Sequence, residues 1–452
     1  MPRLLLSLGL LLAAVPSGAS DFLLLEEVAA KPGQVIVVPP GVHEIAAPIH
    51  LTTDGAGLSG SGVIVQTDPA QPIVRVEGAR GVTIEGVTLT RPAGQPPATE
   101  SALRADQARG LQVRSVRVVD NQSQAAAIRL SGCENTSITG CEIVNYKAIG
   151  IDDRTTSPLY GYAFHCIDGA GIGVDNSVHT LIADNRVIED RYIPAPELKE
   201  SHRLGQLTDG NQPLNPGELA RGVAKRGYVD NWHQGSAIVV TGPEHSRHTI
   251  IRGNLIVNAA QAVDLHCDYA VVADNLIDRC MIGVKATHGS YGVSVTGNTI
   301  SGADLWGMVF NPGAASHGGE AAKDGTAERA WNGDAGLVIS GNIIADYGHG
   351  NEYWNWGGRE PDAPSSYAIA FFKGQLDSNP PYRDIVLSGN LVLSGGRALS
   401  PGTPPRYRYA VYFEGWHESG RRHETAAIDF EASGNRLHPG LLGVSNIPLQ
   451  DE

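Results

Sequence analysis

One short pattern recurs seven times along the chain and constrains the fold more than any other feature. In each copy an asparagine follows Gly or Asp and precedes an apolar residue by two positions. The copies are IADNRV (182–187), IRGNLI (251–256), VADNLI (272–277), VTGNTI (295–300), ISGNII (339–344), LSGNLV (387–392) and ASGNRL (432–437). A related segment, ITGCEI (138–143), has Cys141 at the asparagine position. Such recurrence indicates a repeat architecture.

The spacing and composition of the repeats predict stacked strands. Asn254 and Asn275 are 21 residues apart, and Asn275 and Asn298 are 23 apart. The segments are short, rich in β-branched residues and bounded by Gly, Asn and Asp, which is typical of strands and turns. A period of about 22 residues fits a solenoid, in which asparagines at equivalent turns hydrogen-bond along the stack. We therefore predict an all-β solenoid.

The repeats, together with the segment GQVIVVPPGVHEIAAPIHL (33–51), resemble the right-handed parallel β-helices of the pectate-lyase superfamily. The resemblance covers nearly the whole chain after its N-terminus. It implies one β-helix domain over residues 20–452, with insertions near 188–234, 312–334 and 345–366. Because such helices include lyases, hydrolases, epimerases and adhesins, the fold does not fix the function.

The N-terminal segment MPRLLLSLGLLLAAVPSGAS predicts a signal peptide over residues 1–19. A basic residue, Arg3, precedes a short apolar run, and Ser17 and Ala19 fit a cleavage site. The run is too short to span a bilayer well. We therefore expect a secreted or periplasmic monomer with no membrane span after processing. The net charge of -14 argues against nucleic acid as a partner.

Aligning the strands that open successive turns predicts a stripe of outward-facing charges. Two columns result, because alternate residues of a strand share a face. The first column contains Arg75, Arg104, Arg129, Asp152, Asp175, Val239, Asp264, Lys285 and Val309. The second contains Glu77, Asp106, Ser131, Arg154, Ser177, Thr241, His266, Thr287 and Asn311. The alternative is an ordinary polar surface. Insertions interrupt the repeat between residues 155 and 235, and a shift of one turn there would change which side chains are neighbours.

The central charges of the stripe suit proton abstraction from a uronic acid polymer. β-Elimination and C5-epimerisation each need a base and a cation that neutralises the substrate carboxylate. We predict His266 or Lys285 as the base, Asp264 as the group that orients His266, and Arg154 as neutraliser or proton donor. Asp152 and Asp175 would bind substrate or calcium. The arginine row Arg75, Arg104 and Arg129 would hold a polyanion.

The same residues are compatible with other activities. The element Asp264-Leu265-His266 is similar to the Asp-Pro-His element of alginate C5-epimerases, with Leu265 in place of proline. Paired aspartates would instead support glycoside hydrolysis, since one or two rungs separate them. The aspartates also suggest a Ca²⁺ site, although nearby arginines oppose it. A non-catalytic carbohydrate-binding or adhesion protein is the fourth candidate.

Aromatic side chains in the insertions are candidate sugar contacts, because long loops on a rigid scaffold usually carry function. We expect Trp232, His233, Trp354 and Trp356, with Tyr353 beside them, to stack on sugar rings. The equally weighted alternative is that they pack the insertions onto the coil. The five cysteines form no zinc pattern, and we expect several of them to be buried.

Overall fold

The chain folds into a right-handed parallel β-helix. The computed structural model describes residues 31–156, 161–208, 223, 225–229, 232–242, 245–287, 289–311, 335–348, 366–372, 382–393, 405, 407–414, 416–418, 421–423 and 427–449. Strands of successive turns pair in parallel along the coil, with one register shift between Cys280 and Ile282 where Leu276–Thr287 pairs with Thr299–Asn311. The predicted all-β solenoid is therefore confirmed. The predicted signal peptide lies outside the described residues.

Each complete turn contributes one strand to a twelve-stranded sheet and further strand segments to a twenty-stranded sheet. The twelve strands are Val35–Val38, Gly57–Gly60, Thr83–Glu85, Gln112–Arg114, Glu134–Thr139, Val178–Ala183, Ile250–Arg252, Val271–Ala273, Ser294–Thr296, Ala335–Ser340, Tyr382–Ser388 and Ala427–Ser433. The twenty are Val42–Ile45, Ile49–Leu51, Val63–Gln66, Val74–Glu77, Thr88–Thr90, Leu103–Asp106, Arg117–Val119, Ile128–Ser131, Glu142–Val144, Ile172–Asp175, Arg186–Ile188, Ser236–Thr241, Leu255–Leu265, Leu276–Thr287, Thr299–Asn311, Ile343–Ala345, Tyr367–Phe371, Leu391–Val392, Tyr409–Phe413 and Arg436–Leu437.

The repeated asparagines form a continuous hydrogen-bonded ladder inside one corner of the coil. The Oδ1 atom of each accepts from the backbone N–H and the side-chain amide of the asparagine one turn earlier, at 2.9–3.1 Å. The ladder runs through Asn185, Asn254, Asn275, Asn298, Asn342, Asn390 and Asn435. Cys141 occupies the preceding position, and its backbone N–H donates to Asn185. The predicted stacking of asparagines is confirmed.

The core is one column of aliphatic side chains along the helix axis. Inward residues of each strand, such as Val263, Val284 and Met308, stack on their equivalents in the neighbouring turns. All five cysteines are buried and unpaired, as the composition suggested. Aliphatic burial at about 25 cal/mol per Å² is the main source of stability in such a stack.

In the part of the chain that the structure describes, two hairpins and the helix Pro196–Ser201 project from the coil. The strands Ala148–Asp153 and Ala163–Asp168 pair antiparallel, as do Trp416–Glu418 and Arg421–His423. The helix Pro196–Ser201 lies in the insertion predicted near residues 188–234. Residues 312–334 and most of 345–366 lie outside the described residues. No helix in the described part of the chain is long and apolar enough to cross a membrane.

Candidate functional site

The outward face of the twenty-stranded sheet contains the first predicted column, with two changes: Asp152 is absent from it, and Gly173 occupies the place predicted for Asp175. Arg75, Arg104 and Arg129 occupy equivalent positions on three successive strands, as predicted. The register then continues through Gly173, Val239, Asp264, Lys285, Val309 and Ala370. Asp264 and Lys285 therefore lie on adjacent rungs, and the column becomes apolar beyond them.

Three predicted residues occupy other positions. Asp152 and Arg154 do not form a rung of the coil, because residues 148–153 form the first hairpin strand instead. Arg154 donates to Asp152 through Nε at 2.9 Å and lies over the ring of Phe164. Asp175 lies in the second column, paired with Ser131 and Thr241, and Gly173 occupies its predicted place. The stripe assignment of these three residues was wrong.

Asp264, His266 and Lys285 form a compact cluster on this face. The Nε2 atom of His266 lies 3.0 Å from Oδ1 of Asp264. The ammonium of Lys285, one rung away, lies 3.1 Å from Oδ1 and 3.2 Å from Oδ2 of the same carboxylate. The Asp264 side chain is 7% exposed, whereas those of His266 and Lys285 are 19% and 21% exposed. A buried anion thus aligns two basic groups that face solvent.

The electrostatics of the cluster keep Asp264 ionised. Burial alone would raise the pKa of this carboxyl, but the opposing effects of Lys285 and His266 are larger in sum. Its pKa therefore lies well below the ordinary value. The carboxylate is consequently an acceptor that holds its two neighbours, and it is not a proton donor near neutral pH.

The arginine row is confirmed in position, but its members differ in availability. Arg75 pairs with Glu77 at 3.2 Å, and Arg104 pairs with Asp106 at 2.8 Å. Arg129, by contrast, forms no side-chain hydrogen bond or ion pair with another described residue. It lies three rungs from Asp264, which corresponds to roughly 14 Å along the axis. Arg129 is therefore the member of the row best placed to meet an anion.

Trp232 and His233 are packed against the hairpin, away from solvent. Both are 0% exposed. Trp232 packs with Ile167 and Leu204, and His233 pairs with Ile167 through a parallel bridge. The alternative that they pack the insertion onto the coil is the arrangement observed, and the predicted sugar stacking is not. Trp354, Trp356 and Tyr353 lie outside the described residues.

A second charged cluster lies beneath this insertion, and sequence reasoning missed it. Lys147 is 0% exposed, and its Nζ atom lies 2.6 Å from Nε2 of His233. Glu189, also fully buried, accepts the backbone N–H of Lys147 at 3.1 Å. Burial lowers the pKa of Lys147 to about 7, although Glu189 and Asp168 oppose the shift. The only sequence signal is a lysine between apolar residues in NYKAIG (145–150).

Lys147 makes stability depend on pH. Its folded pKa of about 7 is below the ordinary 10.5, so the unfolded chain binds more protons between these values. The free energy of unfolding should therefore rise with pH by about 1.4 kcal/mol per unit from this group. Burial, together with the charge of Lys147, holds the pKa of the neighbouring His233 well below its ordinary value, so this imidazole does not titrate within the window. Urea unfolding between about pH 7 and 9 should show that slope in the wild type and its absence in Lys147→Met. The exposed-site variant Lys225→Met should retain the slope, and an unchanged slope in Lys147→Met would contradict the assignment.

The aspartates proposed for calcium are not gathered into one site. Asp152 pairs with Arg154, Asp264 pairs with Lys285, and Asp175 hydrogen-bonds to Asn176. Among the described residues, no group of three or more His, Cys, Asp or Glu side chains is placed to hold a metal ion. These residues therefore do not fit a calcium site of oxygen ligands.

Solved structures confirm the fold of the chain. One is a PL6 alginate lyase in complex with a trisaccharide (TM-score 0.52, 11% identity), which matches over 93% of this chain and 83% of its own. Another is alginate lyase AlyF-OU02 in complex with G6 (TM-score 0.52, 11% identity), which matches over 92% of this chain and 81% of its own. No protein-family model and no curated protein matches the sequence. The chain is thus a right-handed parallel β-helix protein.

Proposed function

We propose that the protein is an enzyme that acts on an acidic, uronate-containing polysaccharide by β-elimination or C5-epimerisation. The observation that carries this proposal is the convergence of His266 and Lys285 on the buried carboxylate of Asp264. Both reactions begin by removal of the proton beside the uronate carboxylate. A base and a cation side by side on the outward face meet that requirement. The alginate lyases of the same fold support this substrate class.

The hydrogen bonds within the cluster suggest a role for each group. When Nε2 of His266 donates to Asp264, Nδ1 carries the lone pair and is the base. Lys285, ion-paired with Asp264, offers an ammonium that neutralises the substrate carboxylate. Its protons also suit transfer to the sugar in the second half of the reaction. Asp264 touches neither reacting atom and acts as a positioning residue.

The remaining charges suggest how a polyanion lies on the face. Arg129 would meet a carboxylate of the polymer several rungs from the reacting sugar, with Arg104 and Arg75 further along. Between Arg129 and Asp264 the column holds only Gly173 and Val239. This pair leaves room for a sugar chain above the sheet.

Hydrolysis by paired aspartates is the weaker candidate. It requires one carboxyl group that is protonated near neutral pH. Lys285 and His266 hold the pKa of Asp264 low, and Asp152 is engaged by Arg154. A non-catalytic binder would need no such cluster.

We also propose that the chain is exported by its N-terminal signal peptide.

A panel of polysaccharides tests the proposal. Purified protein is incubated with acidic and neutral polymers, and the ultraviolet absorbance of unsaturated ends is read together with reducing ends. A lyase raises both signals on an acidic polymer only. A rise in reducing ends alone assigns hydrolysis, and turnover confined to neutral polymers removes the acidic-substrate proposal.

The positioning role of Asp264 has its own test. In Asp264→Asn the negative charge that aligns His266 and Lys285 is lost, so we expect kcat to fall by about 10–100-fold with little change in KM. The control is Asp278→Asn, which removes a half-exposed carboxylate elsewhere on the same coil. Equal kcat values for the two variants would show that the alignment is not needed.

A further inference from the structure

A row of aromatic side chains lies on the surface beside the candidate site. The corner ladder consists of His179, His248, Tyr269 and Tyr291. The ring centroids are 5.1 Å apart between His179 and His248, and 5.2 Å between His248 and Tyr269, with near-parallel planes. Tyr291 meets Tyr269 edge-on at 5.6 Å. Tyr269 and Tyr291 are 48% and 38% exposed, and both histidines are exposed.

The ladder occupies a corner that the rest of the coil builds differently. One residue per turn has a positive φ there, a conformation that Gly adopts readily and that Asn, Asp and His adopt more often than other residues. In other turns the corner residues are Gly81, Gly110, Asn135, Gly292, Gly336, Asp384 and Asp429. Three successive turns instead place His179, His248 and Tyr269 there, with φ of 56°, 59° and 53°. Among the described turns, aromatic rings replace the small corner residues only in these three adjacent turns, which points to a use beyond closing the turn.

The corner ladder lies next to the cluster of Asp264, His266 and Lys285. Each corner follows the end of an outward strand, and Tyr269 comes three residues after His266, within about 10 Å along the chain. The ladder spans the turns that contribute Gly173, Val239, Asp264 and Lys285 to the outward column. The hairpin and the helix leave the coil on the other side, before the outward strands begin. The outward column therefore has the hairpin and the helix on one side and the corner ladder on the other.

We propose that the corner ladder is a glycan-binding rim that contacts the sugars of the same polysaccharide along the groove; this rests on the proposed function. The ladder repeats once per rung, parallel to the line from Arg129 to Lys285. Tyr and His present apolar ring edges together with polar tips, a combination suited to the C–H surfaces and hydroxyls of a pyranose. The adjacent Arg247, exposed beside His248, favours an anionic chain.

The coil itself supplies a mild substitution. Tyr269→Asn and His248→Asn insert the residue that Asn135 provides at the same corner, so the backbone conformation is retained. Binding of oligomers of mannuronate, guluronate and galacturonate is measured by calorimetry in the His266→Asn background, together with thermal midpoints. We expect Kd to rise about three- to tenfold for each ring removed, with midpoints unchanged or higher. The control, Ile343→Asn, replaces a 38% exposed apolar residue on another face and should leave Kd unchanged.

The outcomes separate this proposal from the proposed function. Lower midpoints with unchanged Kd would show that the ladder only stabilises the coil, and would overturn the rim. Binding of neutral but not acidic oligomers, weakened in Tyr269→Asn, would support the rim while removing the acidic substrate. Absence of binding to either class by the parent protein would overturn both.

Discussion

Lys285→Met is expected to lower kcat on an acidic polysaccharide by about 10²–10⁴-fold, the range for loss of a group that assists proton transfer. Methionine retains the length and apolar stem of lysine but removes the ammonium that pairs with Asp264 at 3.1 Å. Without that cation, the substrate carboxylate is not neutralised, and the adjacent proton is less acidic. Initial rates with wild type and variant measure the effect.

The control for this variant comes from the same strand. Arg279→Met removes a cation that is about half exposed and pairs with Asp278, away from the outward column. It should keep wild-type rates if the effect belongs to the cluster. Comparable losses in both variants would indicate a general charge effect on polyanion binding, and would contradict a specific role for Lys285.

Asn275→Ala is expected to be the most destabilising single change, at about 3–5 kcal/mol. The Asn275 side chain accepts from the backbone and side chain of Asn254, and donates to Asn298 and to the carbonyl of Ile251. Alanine removes all four bonds, and it deprives the buried backbone N–H of Asn254 and the carbonyl of Ile251 of the partner that Asn275 supplies. The measurement is the urea midpoint of unfolding, compared with that of the wild type.

Cys141→Ala provides the matched comparison for the ladder. Cys141 occupies the same turn position and is equally buried, but its thiol makes only long contacts, at 3.5 Å and 3.7 Å, with backbone oxygens. Its loss should cost less than about 1.5 kcal/mol. A similar shift in both variants would mean that packing at this corner matters and that the amide ladder does not.

Features that repeat could be predicted from the sequence. The asparagines recur at nearly constant spacing, so their stacking follows from the period alone. The same period places Asp264 beside His266 and one rung from Lys285, because only 21 residues separate the two rungs and no insertion intervenes. Confirmed predictions therefore cluster where the turns are short.

Features that depend on tertiary pairing could not be predicted. The segment GIDD (150–153) has the same alternation as GVDN (173–176), yet the first pairs antiparallel with Ala163–Asp168 and the second joins the coil. Alternation reports which side chains share a face, and it does not report the partner strand. The corner ladder did leave a signal, since His179, His248 and Tyr269 each precede an inward Ile or Val by three positions.

The most direct test of the central claim is proton exchange at the uronate C5 position. The protein is incubated with acidic polyuronates in D₂O, and the products are examined by NMR for deuterium at C5 and by ultraviolet absorbance for unsaturated ends. We predict one of these two signals with the wild type and its loss in His266→Asn. New reducing ends without either signal would contradict the account.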